Sequence, residues 1–256
     1  MNSIILPENN KKPSQWQMEY DNVTDSYEKI SSFLDYSYPH INSSSVSGNI
    51  SVSEIKKIKM ENEISDMLYA DTTLKKPSNF AGSGKIYGSA LGTLVHLCME
   101  KLDFSRMENE AEIKEQLESF LSAGIIDDEE LKILHTHKFL SFANSPLGRR
   151  MKENISTLRK EVSFKILSAI SEIHGIDSDD SLIVQGTIDA FFEDSDGRVV
   201  LVDYKTDKIP KEGTNIISER YRIQLDTYAR ALEKMLGKEV KEKYIYLFDN
   251  GETISV

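Results

Sequence analysis

The segment from Gly197 to Ile209, GRVVLVDYKTDKI, constrains the fold most, because four apolar residues run directly into an acid and a base two positions apart. The apolar residues at 199–202 predict a buried strand. Successive strand residues alternate between the two faces of a sheet, so the side chains of Asp203 and Lys205 project from the same side. The stretch therefore predicts a strand whose polar end presents a carboxylate and an ammonium group together.

The second half of the chain predicts a β-β-β-α-β run. Strand-like patterns occur at 160–167, 182–193, 198–205 and 243–248, and a helical pattern occurs at 218–236. Before them, apolar residues at helical spacing predict helices at 89–102, 108–121 and 127–143. Helices followed by such a run predict a mixed α/β or α+β core with an N-terminal helical part.

One boundary divides the chain. The residues at 38–49, YPHINSSSVSGN, are rich in Ser, Asn and Gly and predict a linker. Directly after it, Ser51 and Glu54 have the spacing of a capping box that opens a short helix. We therefore expect an N-terminal extension or linker at 1–50 and the main domain at 51–256.

Composition excludes several classes of protein and site. The net charge of −11 argues against binding nucleic acid by bulk electrostatics alone. The single cysteine, Cys98, excludes an internal disulfide framework, a cysteine-rich zinc site and an all-cysteine iron–sulfur cluster. The chain has neither a signal-peptide pattern nor an 18-residue apolar stretch, so we expect a cytoplasmic protein that does not enter a membrane.

The strand at 182–193 places Asp189 on one face together with Gln185 and Thr187. Through the turn at 194–197 it pairs with the strand that carries Asp203 and Lys205. Two carboxylates at neighbouring strand ends can bind Mg²⁺, and a lysine beside them can stabilise negative charge on a phosphate. The simpler interpretation of an isolated D-x-K pair is a surface salt bridge worth about 0–1 kcal/mol.

Other polar residues are candidate companions of this group. His96 lies about 140° from the centre of the apolar stripe of its predicted helix, one turn after Gly92, which allows close approach of a ligand. Glu161 stands on the first predicted strand, and Gln224 and Tyr228 are four residues apart on the predicted helix after the D-x-K strand. Taken singly, these residues are equally typical of an exposed helix histidine, a solvated edge acid and a local helix-surface pair.

Five ordered motifs, GTLVHLCMEKLD, EVSF, GTIDA, LVDYKT and QLDTYARAL, resemble those of RecB-like nucleases of the PD-(D/E)XK superfamily. The chain is most similar to the nuclease domain at the C-terminal end of the AddA subunit of AddAB helicase–nucleases, and the resemblance covers about 51–256. It implies a restriction-endonuclease-like core with a central mixed sheet flanked by helices. Related nucleases clamp an iron–sulfur cluster with four cysteines, which this chain lacks, so we expect no such cluster.

The resemblance also implies a metal site. Its ligands to Mg²⁺, or alternatively Mn²⁺, would be His96, Asp189, Asp203 and the main-chain carbonyl of Tyr204. Lys205 would orient or activate the attacking water. The catalytic group would then comprise Asp189, Asp203 and Lys205, together with an acid near the metal on the first strand.

That acid is Glu161, which would assist a ligand or a second ion, while Gln224 and Tyr228 would position the DNA backbone or the lysine. The implied activity is metal-dependent hydrolysis of single-stranded DNA delivered by a helicase, in double-strand-break repair and recombination. The implied partners are the helicase part of AddA and an AddB-type subunit. Two alternatives stay open: a non-catalytic interaction module of the same complex, and a stand-alone phage-type exonuclease of the same superfamily.

Overall fold

The computed structural model describes residues 43–60, 85–207 and 215–256, together with Tyr27, Ile30 and Ser31, and only the backbone at 85–89 and 215. The chain divides into two compact units, Met1–Ser45 and Val46–Val256, and the second contains all elements described below. The predicted linker at 38–49 ends at the first residue of a strand, Asn49. The boundary between 50 and 51 stays a prediction.

A six-stranded mixed sheet forms the centre of the larger unit. Its strands are β1 (Asn49–Ser51), β2 (Arg159–Ala169), β3 (Ser181–Glu193), β4 (Val199–Lys205), β5 (Val240–Leu247) and β6 (Glu252–Ser255). They follow the order β1-β3-β4-β5-β6, and β2 pairs with β3. The pairs β1–β3 and β4–β5 are parallel, and the other pairs are antiparallel.

Helices cover both faces of this sheet. They are α1 (52–60), α2 (Lys85–Lys101), α3 (Glu110–Ser122), α4 (Asp128–Ile133), α5 (Thr136–Asn144), α6 (Pro146–Glu153), α7 (Ile170–His174) and α8 (Asn215–Leu236), with a 3₁₀ turn at Phe104–Arg106. The predicted capping box opens α1, since the backbone N–H of Glu54 donates to Ser51 Oγ and that of Ser51 to the Glu54 carboxylate. No described helix has the length and apolar composition needed to cross a bilayer.

Strand β4 is buried on both faces, which explains its continuous apolar run. Val200, Val202 and Tyr204 pack in one hydrophobic cluster with α2 and the helices α3–α6. Val199 and Leu201 belong to the opposite cluster, which includes apolar residues of α1 and α8. Alternation therefore directs Asp203 and Lys205 toward the α8 side of the sheet.

The predicted fold class, a mixed sheet flanked by helices with an N-terminal helical part, is confirmed. The helix predicted at 127–143 is instead two helices, α4 and α5, because the chain becomes extended at Leu134, whose side chain is buried. Helix α6 and strand β6 were not predicted. Ser145 and Pro146, an N-cap followed by proline at the first helical position, are the sequence signal for α6.

Candidate active site

An open cleft of about 520 Å³ lies where α2 faces β2 and the end of β4. Its lining is mostly polar and consists of Gly92, Thr93, His96, Glu161, Lys205, Thr206 and Asp207. A Cβ added at Gly92 would lie 3.3 Å from the hydroxyl oxygen of Thr206, so glycine permits this close approach of α2 to the β4 end. The cleft thus contains three residues that the sequence identified as site candidates.

Three potential metal-ligating side chains converge beside this cleft. One donor atom each from His96, Glu161 and Asp189 lies within 4.8 Å of the others. His96 Nδ1 is 3.2 Å from Oδ1 of Asp189 and 3.8 Å from Oε1 of Glu161. The Asp189 side chain is buried, and its Oδ2 accepts a 2.7 Å hydrogen bond from the backbone N–H of Tyr204. The carboxylate is therefore oriented by a rigid strand.

Asp203 and Lys205 form a buried pair on the same side of β4. Lys205 Nζ lies 2.6 Å from Oδ2 of Asp203, with side-chain exposures of 15% and 1%. Such burial excludes the interpretation as a surface salt bridge. In the described chain this oxygen has no partner in hydrogen-bonding geometry, whereas Oδ1 accepts a 3.1 Å bond from Gln224 Nε2.

Gln224 and Tyr228 contact each other one helical turn apart on α8. The amide nitrogen of Gln224 donates to the hydroxyl of Tyr228 over 3.2 Å, in addition to its bond to Asp203. Both side chains therefore support the Asp203 carboxylate from the α8 side. Asp203 itself lies outside the group of donor atoms within 4.8 Å that His96, Glu161 and Asp189 form.

The site concentrates charge in a poorly solvated environment. Burial lowers the pKa of His96, but hydrogen bonds with Asp189 and Glu161 raise it more, to about 10. Burial raises the pKa of Asp203 to about 6, although the Lys205 ammonium lowers it. Burial likewise lowers the pKa of Lys205, but the carboxylates of Asp203 and Asp189 raise it above its ordinary value. At neutral pH, protonated His96 and Lys205 therefore compensate the negative charge.

The backbone at Glu161 is strained. Its φ of +49° is the one positive value among the described non-glycine residues. A left-handed conformation costs a residue with a Cβ atom roughly 1–2 kcal/mol. Strain of this kind persists where the surrounding structure imposes it, and it is common at functional sites. Here it directs the Glu161 carboxylate toward His96.

The chemistry of these side chains fits a hard divalent cation. Carboxylate oxygens are the ligands that Mg²⁺ and Mn²⁺ accept, and an imidazole nitrogen is compatible with Mn²⁺. Without an ion, the Asp189 and Glu161 carboxylates are held together only through protonated His96. A cation between them would replace that proton, so the donor set fits the group that the motifs imply.

The sequence interpretation missed two residues beside the site, Asp207 and Tyr221. The hydroxyl of Tyr221 donates a 2.7 Å hydrogen bond to Asp207, and its ring lies 4.8 Å from Lys205 Nζ. Tyr221 precedes Gln224 by three residues, so it falls on the same face of α8. That spacing was the available signal.

Comparison with known proteins decides the family. Residues 73–254, most of the chain, match the PD-(D/E)XK nuclease superfamily. The chain belongs to this superfamily. PD-(D/E)XK nucleases use divalent metal ions, in agreement with the ligand chemistry of the cleft.

The curated relatives of this PD-(D/E)XK chain are the AddA subunits of ATP-dependent helicase/nucleases. It is 38% identical over 236 residues to the AddA protein of Clostridium botulinum (strain Loch Maree / Type A3), and the match covers 90% of this chain and 18% of the relative. The AddA protein of Clostridioides difficile (strain 630) is 38% identical over 248 residues, with coverages of 90% and 19%. The chain thus spans about a fifth of these relatives, and its resemblance to the AddA nuclease domain is confirmed.

Among solved structures, that of SSO0001 covers 90% of this PD-(D/E)XK chain and 72% of its own. Its TM-score is 0.33 and its sequence identity is 10%. A similarity this low supports no inference about function.

Proposed function

We propose that this nuclease domain hydrolyses phosphodiester bonds of single-stranded DNA, with Mg²⁺ as the required ion and Mn²⁺ as an alternative. The observation that carries the proposal is the convergence of His96, Glu161 and Asp189 beside the Asp203–Lys205 pair at one cleft. Carboxylates and an ammonium group at that spacing suit a phosphate diester better than a neutral substrate. The products would carry a 5′-phosphate and a 3′-hydroxyl.

In this proposal His96, Asp189 and Asp203 hold the ion, with the Tyr204 carbonyl as a further ligand and Glu161 as a supporting acid. Asp203 stays in the ligand set because its buried Oδ2 lacks a partner in hydrogen-bonding geometry within the described chain. When bound, the divalent ion supplies positive charge that stabilises negative charge developing on the phosphate.

Lys205 has a separate role at the scissile phosphate. Its raised pKa keeps the side chain protonated at neutral pH, so it donates hydrogen bonds and cannot accept a proton. It therefore orients the attacking water and stabilises the phosphate rather than removing a proton. Asp203 fixes the ammonium group, and Gln224 fixes Asp203 with support from the Tyr228 hydroxyl.

We further propose that a helicase delivers the DNA, as part of double-strand-break repair in the cytoplasm. The partners would be the helicase part of AddA and an AddB-type subunit. The similarity to AddA proteins of helicase/nucleases supports this setting over a stand-alone phage-type exonuclease. The net charge of −11 suits a domain that receives its substrate from a neighbouring surface. A full set of site residues counts against a non-catalytic module.

The test is cleavage of end-labelled single-stranded and duplex DNA by the purified chain in Mg²⁺, in Mn²⁺ and in EDTA. We expect metal-dependent cleavage that is faster on the single strand, with products bearing 5′-phosphates. A parallel series contains an AddB-type protein, because the domain can depend on delivery. Cleavage that continues in EDTA, or none in any metal with that protein present, would contradict the proposed function.

A further inference from the structure

A second lysine lies beside the active-site lysine, and the function proposed above leaves it without a role. Lys56 belongs to α1, and its Nζ is 3.9 Å from the ring centroid of Tyr221 on α8. Lys205 Nζ is 4.8 Å from the same centroid. One tyrosine ring therefore contacts both ammonium groups, and cation–π attraction holds each near the ring.

Tyr221 is itself fixed in place and connected to the cleft. Its side chain is buried, and its hydroxyl donates a 2.7 Å hydrogen bond to Asp207. Asp207 and Lys205 both line the cleft. Lys56 thus stands on the side of the cleft where β4 ends, on a ring whose position is set from below by the buried α8 face.

Lys56 lacks an acidic partner in the residues that the structure describes: its contact there is the ring of Tyr221. The surrounding charges do not supply one either. Burial lowers the pKa of Lys56, and nearby Lys205 and Arg220 lower it further, more than Asp203 and Asp207 raise it. A half-buried ammonium group among other cations is stabilised by an external anion.

We propose that Lys56 and Tyr221, together with Lys205, form a binding site for the DNA phosphate next to the scissile one. This inference rests on the proposed function, because it places that neighbouring phosphate on the Lys56 side of the cleft. An ammonium group binds phosphate as a point charge without reading the base, so the site suits a strand of any sequence. It also gives an acidic domain the local basic surface that its net charge does not provide.

The experiment compares Lys56→Gln with Lys57→Gln, an exposed lysine one position along the same helix that undergoes the same charge change. Fluorescence anisotropy with labelled oligothymidylate in EDTA measures binding without cleavage, across about 50–200 mM salt. Lys56→Arg keeps the charge, and Lys56→Met keeps the apolar stem on Tyr221. Thermal unfolding of every variant separates lost binding from lost folding.

We expect Lys56→Gln and Lys56→Met to weaken binding about tenfold at the lowest salt, as for loss of one charged hydrogen bond. The slope of log affinity against log salt should become shallower by about 0.7. Lys56→Arg should restore most of the affinity, and Lys57→Gln should change it less than about twofold. A purely structural Lys56 would leave the salt slope unchanged.

Equal affinities and equal salt slopes for Lys56→Gln and Lys57→Gln would overturn the inference while leaving the nuclease function intact. Conversely, Lys56-dependent binding by a chain that cleaves no DNA in any metal would support the phosphate site and reject the nuclease function. A wild-type chain that binds no DNA under these conditions would overturn the phosphate site itself.

Discussion

The backbone N–H of Tyr204 donates a 2.7 Å hydrogen bond to Oδ2 of Asp189, which links β4 to β3 beside the cleft. This bond occupies one carboxylate oxygen and leaves Oδ1 at 3.2 Å from His96 Nδ1. Because the donor is a main-chain group of a fully buried strand, the direction of the carboxylate does not depend on a flexible partner. Asp189 is therefore preorganised as a ligand.

Asp189→Asn should retain the bond from Tyr204 through its amide oxygen but remove the negative charge that attracts a cation. We expect metal-dependent cleavage to fall roughly a hundredfold or more, with weaker affinity for Mn²⁺ measured by calorimetry. Asp226→Asn is the matched control, since Asp226 pairs with Lys243 on a different part of α8. Equal activity in both variants would remove Asp189 from the site.

Gln224→Leu should lower the cleavage rate about 10- to 100-fold, because Oδ1 of Asp203 loses its donor inside a buried environment. The free energy of unfolding should also fall by about 1–3 kcal/mol. Tyr228→Phe keeps the Gln224–Asp203 bond and removes only the hydroxyl, so its effect should be several times smaller. Urea unfolding and single-turnover cleavage measure the two effects, and the reverse order of severity would contradict this arrangement.

Glu161→Gly should stabilise the metal-free protein by roughly 1 kcal/mol, because glycine adopts the φ of +49° without the Cβ clash. The same change should reduce metal-dependent cleavage, since the carboxylate near His96 is lost. Glu161→Gln removes the charge but retains the strain, so it should lower activity without the gain in stability. If glycine and glutamine give the same stability, the backbone at this position is not strained.

An ion-pair cluster far from the cleft predicts how stability depends on pH. Arg150 contacts Asp194 and Glu242, and its guanidinium lowers the pKa of both carboxyls below their ordinary values of 3.8 and 4.5. Carboxyls with depressed pKa values stabilise the fold above the unfolded values, and this contribution is lost as pH falls below them.

Arg150→Met should therefore cost about 1–2 kcal/mol at neutral pH, a value kept small because the three side chains are partly solvated. The difference from wild type should shrink as pH falls below about 4.5, where protonation removes the ion pairs in both proteins. Arg106→Met, which breaks an exposed pair with Glu115, should change stability by less than about 0.5 kcal/mol. Urea unfolding across pH measures both, and a constant difference would contradict the assignment.

Local pattern predicted the elements that position the site. The apolar run of β4 and its alternation placed Asp203 and Lys205 on one side, and helical spacing placed His96 off the apolar stripe of α2. These features follow from period and burial, which are local properties. The break at Leu134 was not predictable in this way, because it depends on burial against other helices.

Contacts between distant segments were also beyond sequence pattern. That Lys56 meets Tyr221 depends on how α1 and α8 pack on the same side of the sheet. The hydrogen bond from Gln224 to Asp203 likewise joins α8 to β4, although both residues were candidates separately. The sequence identified the chemical groups, whereas their partners required the tertiary structure.

The central claim is that Lys205, held by Asp203 beside the metal-ligating group, promotes phosphodiester hydrolysis. The most direct measurement is single-turnover cleavage of single-stranded DNA in Mg²⁺ by Lys205→Ala beside Lys132→Ala, whose lysine pairs with Glu129 on an exposed helix. We predict that Lys132→Ala cleaves at the wild-type rate and that Lys205→Ala loses roughly a thousandfold or more, with both variants folded. Wild-type cleavage by folded Lys205→Ala would contradict the assigned site.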